Sequence, residues 1–259
     1  MAADLRTLAA LGVHAVPAVS VLTVQDSRNV EYVEPVAPDL LVRQLEVALH
    51  DIPTSAAKIG LLASSRLVEV VASLIRSGTL HNVVVDPVLA SSSGTAIAND
   101  AATAAYVELL VPRCTIVTPN IPEAERLTGI KITTTEEMTE AAEALCGMGA
   151  PFAVVKGGHL GGGDAPDVVA GHDFVEVLAG ERITSHNTRG TGCTLSSAIA
   201  AYLATGWSPV EAITKAKHFV AVAIAGATSW QIGFGNGPID QLGWSGLLRP
   251  EREPGQASN

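Results

Sequence analysis

Cysteine is scarce in this chain. Its three cysteines, Cys114, Cys146 and Cys193, are odd in number and widely spaced, and this pattern indicates neither a disulfide framework nor a zinc site. Thiols that stay reduced are typical of the cytoplasm. We therefore expect a cytoplasmic protein.

Basic residues are also in the minority, and they form no cluster. The 16 lysines and arginines are outnumbered by 26 aspartates and glutamates, which gives a formal charge of -10 at pH 7. Proteins that bind nucleic acid need a basic surface against its phosphates. We therefore expect no nucleic acid as a main partner, although an acidic protein can still bind one phosphate group locally.

Two further patterns are missing. No apolar run approaches the ~20 residues needed to cross a bilayer, and the first residues lack the basic and apolar regions of a signal peptide, so we expect no membrane partner. The sequence contains no Gly-x-x-x-x-Gly-Lys-Ser/Thr loop, and this absence gives no support to P-loop chemistry.

What the chain does contain is enough apolar sequence for a full core. Of its 259 residues 47% are hydrophobic, and we expect one α/β domain at residues 1–243. Valine-rich segments alternate with segments of helical periodicity, which predicts a three-layer, doubly wound, mostly parallel sheet. Residues 244–259 show no periodicity and are expected to form a disordered tail.

The most informative stretch is 187–193, Asn-Thr-Arg-Gly-Thr-Gly-Cys, which leads directly into a helix. Leu195, Ile199 and Leu203 give that helix one buried stripe. The first-turn amides of a helix have no carbonyl partner within it, and the helix dipole adds partial positive charge there. This end therefore attracts an anion.

Gly190 and Gly192 let the backbone approach such an anion without a side chain in the way. An ordinary glycine turn is the alternative, and Gly-x-Gly alone favours it because short patterns match by chance. Cys193 adds weight to the anion site, since a thiol at a first helical turn is expected to have a lowered pKa and can accept a proton. Its own alternative is a small buried hydrophobic residue.

Residues 187–196 resemble the signature of the hydroxymethylpyrimidine and phosphomethylpyrimidine kinases of thiamine biosynthesis, members of the ribokinase-like superfamily. In that family the loop is the anion hole, which corresponds here to Gly190, Thr191 and Gly192. Cys193 stands where sugar-kinase relatives carry an aspartate base. The resemblance also implies that Thr188 contacts the nucleotide.

On the substrate side the resemblance implies three residues: Gln25, Asp4 and Leu61. Gln25 follows a valine-rich segment, 14–23, that predicts a strand, and its amide can both donate to and accept from an aminopyrimidine. Without the resemblance Gln25 is better interpreted as a solvated loop residue. Asp4 could equally be a helix N-terminal carboxylate, and the family often has methionine at Leu61.

Five more residues lie where strands end or helices begin: Asp86, Asn120, Glu123, Lys156 and Gly157. The resemblance implies magnesium at Asp86 and Glu123, and nucleotide at Asn120, Lys156 and Gly157. Each motif also has a structural alternative. Asp86 could be a turn aspartate before proline, and Asn120 with Glu123 could form only a capping box. Lys156 could be a surface lysine whose aliphatic part lies on apolar neighbours. All of them can converge on one sheet edge.

The resemblance covers about residues 1–240 and implies an ATP- and Mg²⁺-dependent kinase for hydroxymethylpyrimidine, its monophosphate, or both. Two alternatives stay open. One is a kinase of the pyridoxal type. The other is a catalytically silent small-molecule-binding homologue, because the family's first strand and Gly-rich substrate loop do not precede the helix at 1–12, so the chain is expected to be truncated relative to the family. The family's lysine is also replaced by Ser92, and the oligomeric state, a homodimer included, is open.

Overall fold

The structure is a computed structural model that describes residues 1–90 and 97–247. Ser92 and residues 248–259 of the expected tail therefore lie outside the described residues. No helix within the described ranges is long and apolar enough to span a bilayer.

Eight strands are present in the described residues: β1 Val21–Gln25, β2 Val30–Pro35, β3 Ala57–Ile59, β4 Val83–Val85, β5 Ile116–Val117, β6 Phe152–Lys156, β7 Asp167–Gly171 and β8 Phe174–Leu178. The α-helices are α1 Ala2–Ala10, α2 Pro38–Asp51, α3 Ser65–Arg76, α4 Asp100–Ala105, α5 Ile121–Thr128, α6 Thr135–Gly147, α7 Thr191–Ala204 and α8 Pro209–Gly226. A π-helical turn, Tyr106–Leu110, follows α4, and short 3-10 turns form at Val111–Arg113 and Gly157–His159.

The main sheet has six strands in the order β3-β4-β5-β6-β7-β8. Strands β3 to β6 run parallel to one another, whereas β7 runs antiparallel to both β6 and β8. Parallel neighbours need a crossover connection, and helices on the path between them supply it. The predicted α/β fold with a mostly parallel sheet is confirmed.

Helices cover both faces of the sheet and make two cores. Val83 and Val85 of β4 belong to one core, together with apolar residues of α3 to α6, whereas Val84 points into the other core with α7 and α8. Successive side chains of a strand point to opposite faces, so a continuous valine run is what a strand buried on both sides requires. Helix α1 packs on α7 and completes the second layer.

The strand predicted at 14–23 forms only in part. Strand β1 begins at Val21 and pairs with β2 in a separate two-stranded antiparallel sheet. Upstream of it, the Val19 amide donates to Gln44 Oε1 at 2.9 Å and the Val19 carbonyl accepts from Gln44 Nε2 at 2.9 Å. A side chain thus satisfies the backbone groups that a neighbouring strand would otherwise pair.

The first residues of the expected tail form a turn. The amides of Trp244 and Ser245 donate to the Asp240 carboxylate at 2.9 and 2.8 Å, and the Trp244 ring lies 5.9 Å from that of Trp230. The domain boundary at residue 243 stays a prediction.

Candidate active site

The carboxyl ends of the parallel strands bring three predicted residues together. Asp86 follows β4, Asn120 follows β5 and Lys156 ends β6. Asn120 and Lys156 form a parallel bridge, and the Lys156 amide donates to Pro119 O at 2.9 Å. Parallel strands end at a common edge of the sheet, so residues distant in sequence line one cleft.

A lysine whose side chain is 12% exposed lies between two buried carboxylates at this edge. Lys156 Nζ is 2.8 Å from Asp86 Oδ1 and 4.0 Å from Glu123 Oε2, and Asp86 and Glu123 are only 2% and 5% exposed. Burial acts to raise the pKa of Asp86, but the ammonium groups of Lys156 and Lys58 hold that pKa below its ordinary value. Burial raises the pKa of Glu123 to about 7. The Lys156 ammonium acts to lower this pKa, whereas the negative charge of Asp86 acts to raise it.

Glu123 also caps the helix that follows. The Asn120 side chain accepts from the Glu123 amide at 2.9 Å, and Glu123 Oε2 accepts from the Asn120 amide at 2.8 Å. The predicted capping box is therefore present at the start of α5. The cap holds the Glu123 carboxylate at the helix N-terminus, beside Lys156.

A second lysine, Lys58, was not assigned a role from the sequence. Its ammonium lies 2.9 Å from Asp4 Oδ1 and 3.9 Å from Asp86 Oδ2, and Ser197 Oγ donates to Asp4 Oδ1 at 2.8 Å. Burial acts to lower the pKa of Lys58, but Cys193, Asp4 and Asp86 raise it above its ordinary range. The one available signal was a lysine inside the otherwise apolar β3.

The glycine loop at the start of α7 also lies beside Lys156. Gly190 has a left-handed backbone with φ of 85°, a conformation that favours glycine. Helix α7 begins at Thr191, so the amides of Gly192 and Cys193 belong to its first turn, where the helix offers no carbonyl acceptor. A Cβ placed on Gly192 would lie 3.1 Å from Lys156 Nζ. The ammonium and the first-turn amides therefore converge, as an anion site requires.

The Cys193 thiol has a pKa that differs from the expected one. The Lys58 ammonium acts to lower the pKa of the thiol, but burial and the carboxylates of Asp86 and Asp4 outweigh it, and the pKa is raised. The prediction of a lowered pKa considered only the helix N-terminus, which carries a partial charge. Burial of the thiol is the largest influence that raises its pKa, and the full negative charges of Asp86 and Asp4 add to it.

A cavity of about 1900 Å³ runs along this site. It is lined by all the predicted site residues except one: Asp4, Gln25, Leu61, Asp86, Asn120, Glu123, Lys156, Thr188, Gly190, Thr191, Gly192 and Cys193. The exception is Gly157, whose amide donates to Asp167 Oδ1 at 2.9 Å. Gly158 and His159 line the cavity instead, because a 3-10 turn begins at Gly157.

Two residues predicted to bind substrate, Gln25 and Leu61, line the cavity near β1 and β3. Gln25 ends β1 and is exposed, whereas Leu61 is half-buried just beyond β3. The Leu61 carbonyl accepts from Ser20 Oγ at 2.8 Å, so the segment before β1 is attached to the segment after β3. Gln25 and Leu61 thus face the same cavity as the glycine loop.

The sequence profile of the phosphomethylpyrimidine kinase family matches residues 1–240. This chain belongs to that family. The resemblance found in the sequence is confirmed, and with it the prediction of a kinase.

Curated members of the phosphomethylpyrimidine kinase family cover most of the chain. The hydroxymethylpyrimidine/phosphomethylpyrimidine kinase of Rhizobium meliloti is 40% identical over 238 residues, which are 92% of this chain and 89% of that protein. The kinase of the same name from Escherichia coli is 34% identical over 238 residues. The thiamine biosynthesis bifunctional protein ThiED of Geobacter sulfurreducens is 40% identical over 244 residues, and this chain spans 49% of its length.

Solved structures of related kinases have the same fold. A phosphomethylpyrimidine kinase from Clostridium difficile is 35% identical with a TM-score of 0.76, covering 86% of this chain and 91% of that one. The pyridoxal kinase of Staphylococcus aureus in complex with AMP-PCP and pyridoxal is 31% identical with a TM-score of 0.83, covering 93% of this chain and 87% of that one. Pyridoxal kinases, the alternative considered from the sequence, are therefore structural relatives of this chain.

In this member of the phosphomethylpyrimidine kinase family, Asp86 and Glu123 could supply two ligands to Mg²⁺. Among residues 1–90 and 97–247, no group of three or more His, Cys, Asp or Glu is placed to hold a metal. Asp86 and Glu123 are two carboxylates that approach one ammonium. Mg²⁺ commonly binds through one or two carboxylates and completes its shell with water and substrate phosphates, and this pair fits that requirement.

Proposed function

We propose that this protein transfers the terminal phosphoryl group of ATP to 4-amino-5-hydroxymethyl-2-methylpyrimidine, to its monophosphate, or to both, in thiamine biosynthesis. One observation carries the proposal: Lys156, the first-turn residues of α7 including Cys193, and Gln25 line a single cavity. A phosphate and a hydroxyl acceptor can therefore meet there. The names of the curated relatives support the choice of pyrimidine.

Lys156 and the glycine loop form the phosphate side of the site. In phosphoryl transfer most of the catalysis is positioning and stabilisation of charge on the moving group. The Lys156 ammonium lies against Gly192, where it and the loop amides would neutralise that charge. Asn120 and Thr188 line the same cavity and would contact the nucleotide. ATP is supported by the structures of related kinases that hold ADP or AMP-PCP.

Asp86 and Glu123 would hold Mg²⁺. The ion would neutralise negative charge on the nucleotide phosphates when it is bound. Hydrogen bonds within the chain orient both carboxylates before an ion binds. Ser196 Oγ donates to Asp86 Oδ2 at 3.2 Å, and the backbone amide of Asn120 donates to Glu123 Oε2. Both carboxylates are therefore held in place by neighbours of fixed position.

On the acceptor side, Gln25, Leu61 and Asp4 would hold the pyrimidine and Cys193 would accept the proton of its hydroxyl group. The raised pKa of the thiol means that only a small fraction of Cys193 is thiolate at neutral pH. The Lys58 ammonium is the largest influence that lowers the pKa of the thiol and so favours the thiolate. The rate of phosphoryl transfer is therefore expected to depend on Lys58 as well as on Cys193.

Pyridoxal is a second candidate substrate, because the related kinase of Staphylococcus aureus has been solved with pyridoxal bound. Both compounds are heterocycles that carry a hydroxymethyl group. The cavity of about 1900 Å³ is large enough for either ring, so its size does not discriminate between them.

Location and assembly complete the proposal. Three free cysteines are consistent with the cytoplasm. A homodimer is consistent with the β1–β2 hairpin, on which Leu22, Val24 and Tyr32 are 59%, 54% and 57% exposed. Apolar side chains gathered on one exposed element are typical of association surfaces.

The test measures phosphorylated product with ATP and Mg²⁺ for the pyrimidine alcohol, its monophosphate and pyridoxal in parallel. The proposal expects the highest kcat/KM for a pyrimidine, and expects Gln25→Ala to raise the KM for the pyrimidine about tenfold, the loss of one or two hydrogen bonds, with the KM for ATP unchanged. A higher kcat/KM for pyridoxal would assign the second candidate. No product from any of the three would leave a silent binding protein.

A further inference from the structure

Arg189 connects the glycine loop to the hairpin that carries Gln25. Its guanidinium Nη1 donates to the carbonyl oxygen of Asp26, the residue that follows Gln25. Its backbone amide donates to Gly237 O at 3.0 Å. Arg189 is half-buried and lines the same cavity as Cys193. One residue therefore contacts two segments that are far from it in sequence.

The hairpin turn after β1 is also held by the segment 232–238. Ser27 Oγ accepts from the amides of Phe234 and Gly235 at 3.1 and 2.9 Å. The Arg28 guanidinium lies 5.0 Å from the centre of the Phe234 ring, within the range of a cation–π contact, and Arg28 Nε donates to Phe234 O at 3.2 Å. Two consecutive residues of the turn, Ser27 and Arg28, thus contact this segment.

The turn presents the Asp26 carbonyl in a fixed direction. Asp26 Oδ1 accepts from the amides of Arg28 and Asn29, both at 2.7 Å, which is the pattern of an Asx turn. These amides, assisted by the charges of Arg28 and Arg189, hold the pKa of Asp26 below its ordinary value. The carboxylate therefore stays ionised at neutral pH and keeps the turn closed.

We propose that Arg189 is a positioning residue, whose side chain holds the Gln25 hairpin against the loop of Gly190 to Cys193. This inference rests on the proposed function, because Gln25 and the loop would bind the two reacting partners. Phosphoryl transfer needs its acceptor within a few tenths of an ångström of the productive position. A guanidinium suits this role, since its planar fork donates several hydrogen bonds in fixed directions.

The first experiment requires no substrate. Hydrogen–deuterium exchange is measured on the peptide that covers 232–238, because the amides of Phe234 and Gly235 donate to Ser27 and should open when the hairpin is released. Arg189→Gln is expected to accelerate exchange of these amides about tenfold, the size of one charge-assisted hydrogen bond. Ser27→Ala should have the same effect, since it removes their acceptor.

Arg113→Gln is the matched control. Arg113 Nη1 also donates to backbone carbonyls, those of Glu108 and Leu109 at 3.1 and 2.9 Å, but it does not line the cavity. Exchange of 232–238 should be unchanged in this variant. Unchanged exchange in Arg189→Gln as well would overturn the proposal, whatever the substrate of the enzyme proves to be.

The second experiment separates positioning from a general structural role. Arg189→Gln should raise the KM for the pyrimidine about tenfold while the KM for ATP stays within about twofold, and Arg189→Lys should recover part of the loss because an ammonium can still donate to Asp26. Equal rises in both KM values, or no recovery with lysine, would contradict a positioning role. If the unaltered protein phosphorylates no pyrimidine, the proposed function fails, and the exchange experiment still decides the contact of Arg189.

Discussion

Lys156 Nζ lies 2.8 Å from Asp86 Oδ1 at the carboxyl end of the parallel strands, and the two side chains are only 12% and 2% exposed. Taking two charges out of water is costly, so such a pair persists only when each partner compensates the other. The same ammonium lies against Gly192 of the glycine loop. A structural ion pair and the proposed anion site therefore share one atom, Lys156 Nζ.

Removing this lysine should destabilise the protein as well as inactivate it. Lys156→Met leaves the Asp86 carboxylate, which is 2% exposed, without its nearest cation, and breaking a buried pair costs about 3–5 kcal/mol. Urea unfolding measures the loss. The double variant with Asp86→Asn should recover most of the stability but none of the activity. A single variant as stable as the original protein would mean that the pair is solvated.

Turnover should increase with pH if Cys193 accepts the proton. The pKa of the thiol is raised, so the thiolate fraction at neutral pH grows about tenfold for each pH unit. A plot of log kcat against pH is expected to rise with a slope near one between about pH 6.5 and 8.5. Cys193→Ala should lower kcat by about 10²–10⁴ and abolish the slope, with little change in unfolding. A variant with full activity would remove the proton-acceptor role.

Glu123 should make the protein less stable as the pH rises. Burial raises the pKa of Glu123 to about 7, above the ~4.3 of an unfolded chain. A carboxyl with a raised folded pKa contributes its stability below the unfolded pKa and loses that contribution as the pH rises through the folded one. Glu123→Gln should therefore gain about 1–3 kcal/mol relative to the original protein between pH 5 and pH 8. Urea unfolding at both pH values provides the measurement, and a pH-independent difference would contradict the raised pKa.

Lys58 should control how readily Cys193 is alkylated. Its ammonium is the largest influence on the thiol and acts to lower the pKa, so Lys58→Met should raise that pKa further and reduce the thiolate fraction at pH 8. Alkylation of Cys193 by iodoacetamide, followed by mass spectrometry of each cysteine peptide, should slow at least about tenfold. Cys146 serves as the internal control, and a similar slowing at both cysteines would point to a change in folding instead.

The local parts of the site follow from the sequence. Gly190 is required by a left-handed turn ahead of α7, and Asn120 with Glu123 forms the capping box expected from their spacing. The uninterrupted valines of β4 indicate a strand buried on both faces. In each case the information lies within a few consecutive residues, because backbone conformation and burial period are local properties.

Tertiary structure alone decided which distant groups meet. Nothing near Lys58 in the sequence indicates that Asp4 and Asp86 lie beside it. The pKa of Cys193 is raised because the fold buries the thiol and places two carboxylates near it. The contact of Arg189 with Asp26 likewise joins residues that no short pattern connects. The chain order specifies the helices, strands and turns, whereas the charges each side chain feels depend on the packing of those elements in space.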